Sequence, residues 1–297
     1  MLELLTGDDI YVSLTMLATV VDRPTFVLME AGSDCACISP HVDGRRTNLI
    51  PCYGVGNLMR ALTLADENGL AGVVAIRDSD WTDILEPRSH SENIVYTDLY
   101  DLDASILLKT DIGRRILLVF GDQERIATYC ADIGIDSPIE AAIQIASEIG
   151  RLKLASQRHD LKLSLRLFPL HEIANAEFGT IPRDEMIRLA IQRSEDPGLT
   201  SSEISALLDE ETIEPAPRLC VGHDLAAAIA YLIRESLGGA NPSRGSILLT
   251  ARSALSCPEL WTLGFYQELQ VWERRTGWPV WACAADVAGG TTHQHAQ

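Results

Sequence analysis

Three acidic residues stand where strands should end. Glu30 closes the run Thr25-Phe26-Val27-Leu28-Met29-Glu30, and Asp78 and Asp80 close Val73-Val74-Ala75-Ile76-Arg77-Asp78-Ser79-Asp80. Open α/β sheets collect functional groups at the carboxyl ends of their strands, and two residues in alternate positions reach the same side if the strand geometry continues. Ionised carboxylates held that close repel one another. A hard divalent cation, Mg²⁺ or Mn²⁺, relieves the repulsion and leaves room for phosphate oxygens. Glu30, from a neighbouring strand, would be a further ligand or a general acid/base. Metal plus a placed proton carrier is the combination that phosphodiester cleavage needs. The competing structural reading of Asp-x-Asp is a turn, because an Asp side chain accepts readily from the backbone ahead of it.

The elements that must hold these acids follow from the hydrophobic pattern. Short strands over 25–30, 48–52, 71–77 and 93–97, with a helix over about 57–67, predict an α/β fold with a parallel or mixed sheet and flanking helices. This gives a catalytic domain over 1–110, a mainly helical domain over 111–288 and a polar, mobile tail over 289–297. Helices are expected over 138–154 behind Ser137 and Pro138, after the capping box Thr200 to Glu203, over 224–237 and over 261–275. Leu161, Leu163, Leu165 and Leu167 alternate with Lys162, Ser164 and Arg166, a strand pattern with its basic residues on one exposed face.

Family likeness enters on these motifs. Met29-Glu30-Ala31-Gly32-Ser33-Asp34 is similar to the Glu-Gly-x-x-Asp element that opens the Toprim fold, with Ala31 where a glycine is usual. Asp78-Ser79-Asp80 is similar to its Asp-x-Asp element, and Ile50 to Leu58, with Gly54 and Gly56, looks like the strand, glycine turn and helix start between them. The segment Asn93 to Asp103 resembles the Thr-Asp-Tyr-x-x-Glu stretch of Toprim-like nucleases of the AriB type, and Val221-Gly222-His223-Asp224-Leu225 resembles their Gly-His-Asp. That family, long catalogued as a domain of unknown function, includes the effector subunit of the PARIS anti-phage system.

The resemblance implies a Mg²⁺- or Mn²⁺-dependent endonuclease that acts as the toxic effector of antiviral defence by abortive infection. An ABC-type ATPase partner would hold it inactive until a phage protein is sensed. Its substrate would be nucleic acid, including tRNA or other RNA, and its active form a homodimer. Glu30, Asp78 and Asp80 carry over as the catalytic and metal-binding set, with Asp34, Asp98, Asp103 and His223 as secondary candidates. Asp103 reads equally as the N-cap of a following helix, and His223-Asp224 as a helix N-terminal arrangement.

Charge argues against a polyanionic substrate. The 297-residue chain carries a net charge of −18, and phosphate binding depends on Lys and Arg displacing counterions. Local basic residues answer this: Arg45, Arg46, Arg77 and Arg88 lie near the acidic motifs, and Arg151, Lys153, Arg158, Lys162 and Arg166 form a later basic segment. Arg45, Arg46, Arg77, Arg88, Lys162 and Arg166 are the expected substrate contacts. A solvated face is the plainer reading of the later segment, and the acidic bulk could dock on a basic partner.

The remaining features set limits. No Gly-Lys-Ser/Thr phosphate loop is present, which places ATP hydrolysis on a partner. Seven scattered cysteines without Cys-x-x-Cys argue against a disulfide scaffold and against structural zinc. No apolar stretch reaches membrane-spanning length and no signal pattern opens the chain, so a cytoplasmic protein without membrane association is expected. Two rival functions stay open. Asp78-Ser79-Asp80-Trp81-Thr82 also fits the nucleophile motif of a haloacid-dehalogenase-like phosphatase, with Lys109 and Asp122 as later elements. A catalytically silent Toprim-like module that binds a partner ATPase is the other.

Overall fold

A computed structural model of the protein describes residues 5–196, 198–210 and 216–283. Its strands are β1 (Thr25–Met29), β2 (Thr47–Pro51), β3 (Val73–Arg77) and β4 (Ile94–Tyr96). They form one all-parallel sheet of order β2-β1-β3-β4, flanked by helices. Every residue of β1 and all of β3 but Arg77 are buried, as expected of strands covered on both faces. Thr25 pairs with Thr47 and Met29 with Pro51 across β1 and β2, so these strands end level. All four strands lie within a residue or two of their expected positions. The tail over 289–297, with His293 and His295, lies outside the described residues, as does most of the acidic run before Pro215.

The chain forms two compact units, one of 1–75 with 256–297 and one of 76–255. They do not follow the change from alternating elements to helices near residue 110, because the last helices belong with the first strands. The boundary falls inside β3, after Ala75.

In the first unit, α1 (Gly7–Val20) packs on α3 (Val55–Glu67). Their crossing is close: a Cβ on Gly7 would lie 2.6 Å from that of Arg60. The expected helix over 261–275 is α14 (Gly264–Thr276), and a short helix, α13 (Cys257–Trp261), precedes it with its own start. The Ser256 and Glu259 side chains form a capping box at α13. After α14 the chain returns along the sheet. Pro279 carbonyl accepts from the hydroxyls of Thr25 (2.6 Å) and Thr47 (3.0 Å), and Glu273 carboxylate accepts from the amides of Val280 (2.5 Å) and Trp281 (3.0 Å). Burial pushes the Glu273 carboxyl upward despite those two amides. One bridge, Cys257 to Cys283, closes this region across 26 residues. The scattered cysteine pattern gave no sign of it.

Among the described residues the second unit holds the end of β3, β4 and the helices α4 (Leu102–Lys109), α5 (Ile112–Phe120), α6 (Gln123–Ile133), α7 (Pro138–Arg158), α8 (Arg183–Gln192), α9 (Ser201–Glu210), α10 (Ala216–Leu219), α11 (Gly222–Leu232) and α12 (Arg244–Ala254). The Ser137–Glu140 capping box starts α7 as expected, and the Thr200–Glu203 pair does the same at α9. Nearly all of α11 is buried because α7, α12 and α4 all pack on it; it continues into a π-helical turn, Ile233–Leu237. The expected strand over 161–167 is instead irregular chain with a single bridge from Leu163 to Ser194. Asp160 (φ 50°) and Leu167 (φ 52°) turn left-handed at its two ends, which cuts the extended run short.

Candidate active site at the strand ends

Glu30 follows β1 directly and is half-buried. Its backbone is fixed from the neighbouring strand: Glu30 carbonyl accepts from Gly54 amide (3.0 Å), and Met29 carbonyl from Cys52 amide (2.8 Å). The turn that makes this possible has Gly54 at φ 121°, a conformation that side chains rarely adopt, immediately before α3. Ala31 sits at φ −129° and ψ 153°, extended backbone open to any residue. Alanine is therefore accommodated there without backbone strain. Asp34 lies in the first turn of α2 (Gly32–Ile38), where the helix dipole favours it, and Ser33 hydroxyl donates to its carboxylate (3.3 Å). Cys35 and Cys52 are pushed up to about 12, chiefly by burial, with Asp34 acting on the first and Glu30 on the second. They stay as thiols at neutral pH.

Asp78 and Asp80 follow β3, whose regular geometry stops at Arg77. Asp80 is left-handed at φ 44°, so strand alternation does not carry the pair as expected. Side-chain and backbone hydrogen bonds to the end of β4 hold them instead. Ser79 amide donates to Thr97 hydroxyl (2.9 Å), Ser79 hydroxyl to Thr97 carbonyl (2.5 Å), and Thr97 hydroxyl to Leu99 carbonyl (2.8 Å). Asp80 amide then donates to Tyr100 carbonyl (2.7 Å). Trp81 anchors the loop by burial with Leu154 and Leu219 and by an edge contact with the Tyr100 ring at 4.6 Å.

Tyr100 is the residue that sequence reasoning missed. Its hydroxyl pulls the Asp80 carboxyl toward its ionised form. Burial and the negative charges of Asp80, Asp101 and Asp78 push its own pKa up, so it remains a donor. Burial also raises Asp80, while Tyr100 and Arg77 pull it down and Glu86 pushes it up. Only the aromatic residue between two Asp-containing dipeptides, Asp98-Leu99-Tyr100-Asp101, could have hinted at this role.

The secondary candidates divide. Asp101, not Asp103, caps α4: its side chain accepts from Ala104 amide (2.7 Å) and from Gly222 amide at the start of α11 (2.9 Å). The two family-like segments thus meet at one carboxylate. Asp103 is buried inside α4 and held by both guanidinium arms of Arg252 (2.7 and 2.6 Å), which makes it a structural anion. Asp224 is buried and paired with Lys153 at 2.5 Å, and burial raises its pKa against that pull. His223 is exposed, and loss of solvent around the ring lowers its pKa, with Asp103 opposing and Arg244 and Arg252 assisting. Asp98 is half-buried just past β4.

The expected basic contacts are also redistributed. Arg77 pairs with Glu86 (3.0 Å) and Arg88 with Asp83 (2.8 Å), and both guanidinium groups lie over the Tyr96 ring at 5.6 and 5.0 Å. The Arg88–Asp83 pair is exposed and exchanges at little cost, whereas the Arg77 side chain is only 13% exposed. Arg45, Arg46, Lys162 and Arg166 are exposed, with Lys162 paired to Asp160 (2.6 Å). Because Lys153 is drawn into the pair with Asp224 and Arg151 lies 3.7 Å from Glu148, α7 does not present a continuous basic face. Asp122, invoked for a phosphatase, caps α6 by accepting from Arg125 amide (3.0 Å).

Since β1 and β3 are neighbouring parallel strands, Glu30 and Asp78 follow the carboxyl ends of adjacent strands. Hard oxygen donors at that edge suit Mg²⁺ or Mn²⁺ in chemistry. Among the described residues, however, the strand-end acids do not form a set of three mutually close metal ligands; His41, Cys257 and Cys283 do. No helix among the described residues is long and apolar enough to cross a membrane. The chain matches no protein-family model and no curated protein.

Proposed function

We propose that the chain is a metal-dependent Toprim-like nuclease whose site is built from Glu30, Asp78 and Asp80. What supports this most is that Glu30 and Asp78 follow adjacent parallel strands, while a backbone bond to Tyr100 fixes Asp80 two residues after Asp78. A bound Mg²⁺ or Mn²⁺ would supply positive charge against the phosphate oxygens. Asp78 and Asp80 would hold that cation, with Tyr100 favouring the ionised form of Asp80, and Glu30 would be the remaining ligand or proton carrier. Arg45, Arg46, Arg77, Arg88, Lys162 and Arg166 offset the acidic surface for a nucleic-acid strand. The role as a defence effector, the restraining ABC-type ATPase, the RNA substrate and the active homodimer rest on the family resemblance.

The test is cleavage of RNA and DNA by purified chain with Mg²⁺ or Mn²⁺, with and without the partner ATPase. Glu30→Ala and Asp80→Asn should each abolish it and relieve toxicity in cells carrying the activated system. Undiminished cleavage by both variants overturns the reading. Release of phosphate from a small phosphomonoester that survives Glu30→Ala but not Asp78→Asn would point to a phosphatase. Normal complex assembly and defence with all three acids neutralised would point to a silent module.

A further inference from the structure

His41 brings its Nδ1 to 3.4 Å from Cys283 Sγ and 3.7 Å from Cys257 Sγ. In a tetrahedral zinc site, bond lengths near 2.3 Å to sulfur and 2.05 Å to nitrogen place nitrogen and sulfur about 3.5 Å apart and the two sulfurs about 3.8 Å apart. Both nitrogen-to-sulfur distances already match. Only the sulfurs, joined as a disulfide, are too close.

The surroundings hold these groups whether or not the sulfurs are bonded. The amides of Ala282 (2.9 Å) and Cys283 (3.3 Å) donate to His41 carbonyl, which ties the two ligand segments together through the backbone. Cys283 carbonyl accepts from Trp261 Nε1 (3.4 Å) and from the Tyr266 hydroxyl. Cys257 opens α13 behind the Ser256 and Glu259 capping box, so its backbone is fixed by the helix start. His41 and Cys283 are buried and Cys257 is half-buried.

We propose that reduction of the Cys257–Cys283 disulfide creates a site for a thiophilic cation, Zn²⁺ in fit, ligated by His41 Nδ1 and the two cysteine sulfurs. A dithiol supplies the two electrons and two protons: the S–S bond breaks, two thiols form, and the dithiol becomes a disulfide. Metal binding then displaces both thiol protons to solvent. Water fills the fourth position. Soft sulfur ligands exclude Mg²⁺, so this site is chemically separate from the strand-end acids. Either state, bonded or metallated, joins the return segment after α14 to the start of α13.

The experiment uses the full chain, reduced with a phosphine, freed of reductant and titrated anaerobically with Co²⁺. One equivalent should produce a thiolate-to-cobalt charge-transfer band with tetrahedral d–d absorption, and Zn²⁺ should displace it. The oxidised chain should give neither. His41→Gln should weaken binding at least about tenfold, and Cys257→Ser with Cys283→Ser should abolish the band although Cys35, Cys37, Cys52, Cys130 and Cys220 remain. Circular dichroism of each variant separates lost binding from lost folding; if the double variant unfolds, His41→Gln carries the decision. A band absent from the reduced wild type, present equally in the oxidised chain, or unchanged in folded variants overturns the proposal.

Discussion

Asp80 amide donates to Tyr100 carbonyl at 2.7 Å, and the Tyr100 side chain in turn favours the ionised form of the Asp80 carboxyl. The backbone bond fixes where the acid sits, and the nearby hydroxyl biases its charge. Tyr100→Phe separates the two effects because it keeps the ring against Trp81 and removes only the hydroxyl.

In Tyr100→Phe, Asp80 loses the hydroxyl that favours its ionised form, so its already raised pKa rises further. A carboxylate must be ionised to hold a cation. The acidic limb of metal binding and of cleavage should therefore move to higher pH, with metal affinity at neutral pH down about tenfold. A pH titration of Mn²⁺ binding, followed by water proton relaxation, measures the shift. An unmoved limb contradicts the role given to Tyr100.

Asp80 also carries a conformational demand, its φ of 44°. Asn tolerates the left-handed region and β-branched residues do not. Asp80→Asn should unfold at nearly the wild-type urea midpoint, whereas Asp80→Val should lose about 1–3 kcal/mol. Neither should cleave. Equal stability of the two variants would show that the backbone there is less constrained than its angle implies.

A Cβ on Gly222 would stand 2.4 Å from Asp101 Oδ1 and 2.5 Å from Asp103 Cβ. Gly222→Ala should push α4 and α11 apart and lower stability by about 1–3 kcal/mol. Hydrogen exchange should report the loss at the amides of Ala104 and Gly222, which both donate to Asp101. Protection unchanged at both amides refutes this.

The Asp103–Arg252 pair is largely buried, with side-chain exposures of 6% and 21%. Removing one partner should be far worse than removing both. Arg252→Ala should cost about 3–5 kcal/mol by leaving Asp103 uncompensated, while Asp103→Leu with Arg252→Met should come close to wild type. Urea unfolding provides the comparison. Full cleavage by the double variant would also remove Asp103 from the catalytic candidates.

The hydrophobic runs gave the strands because burial on both faces demands them, and the Gly54 turn was readable because few residues but glycine tolerate φ 121°. Asp101 and Asp103 could not be told apart in the same way, since either fits the start of α4 and only the approach of Gly222 and Arg252 decides. The alternating leucines over 161–167 satisfied the period of a strand, but they had no continuous partner to pair with. Tyr100 and His41 owe their surroundings to contacts made in the folded chain; His41 meets Cys283 across 242 positions, which no local spacing encodes.

Both threonines that begin β1 and β2 give their hydroxyls to Pro279, and the disulfide fastens the segment that follows. On a ribosome, residues 76–255 are made between the two parts of the first unit. The strand that presents Glu30 consequently waits for residues 256 onward to be made before its unit is whole. A nascent chain halted before residue 256 would hold Glu30, Asp78 and Asp80 without the segment that completes the first unit.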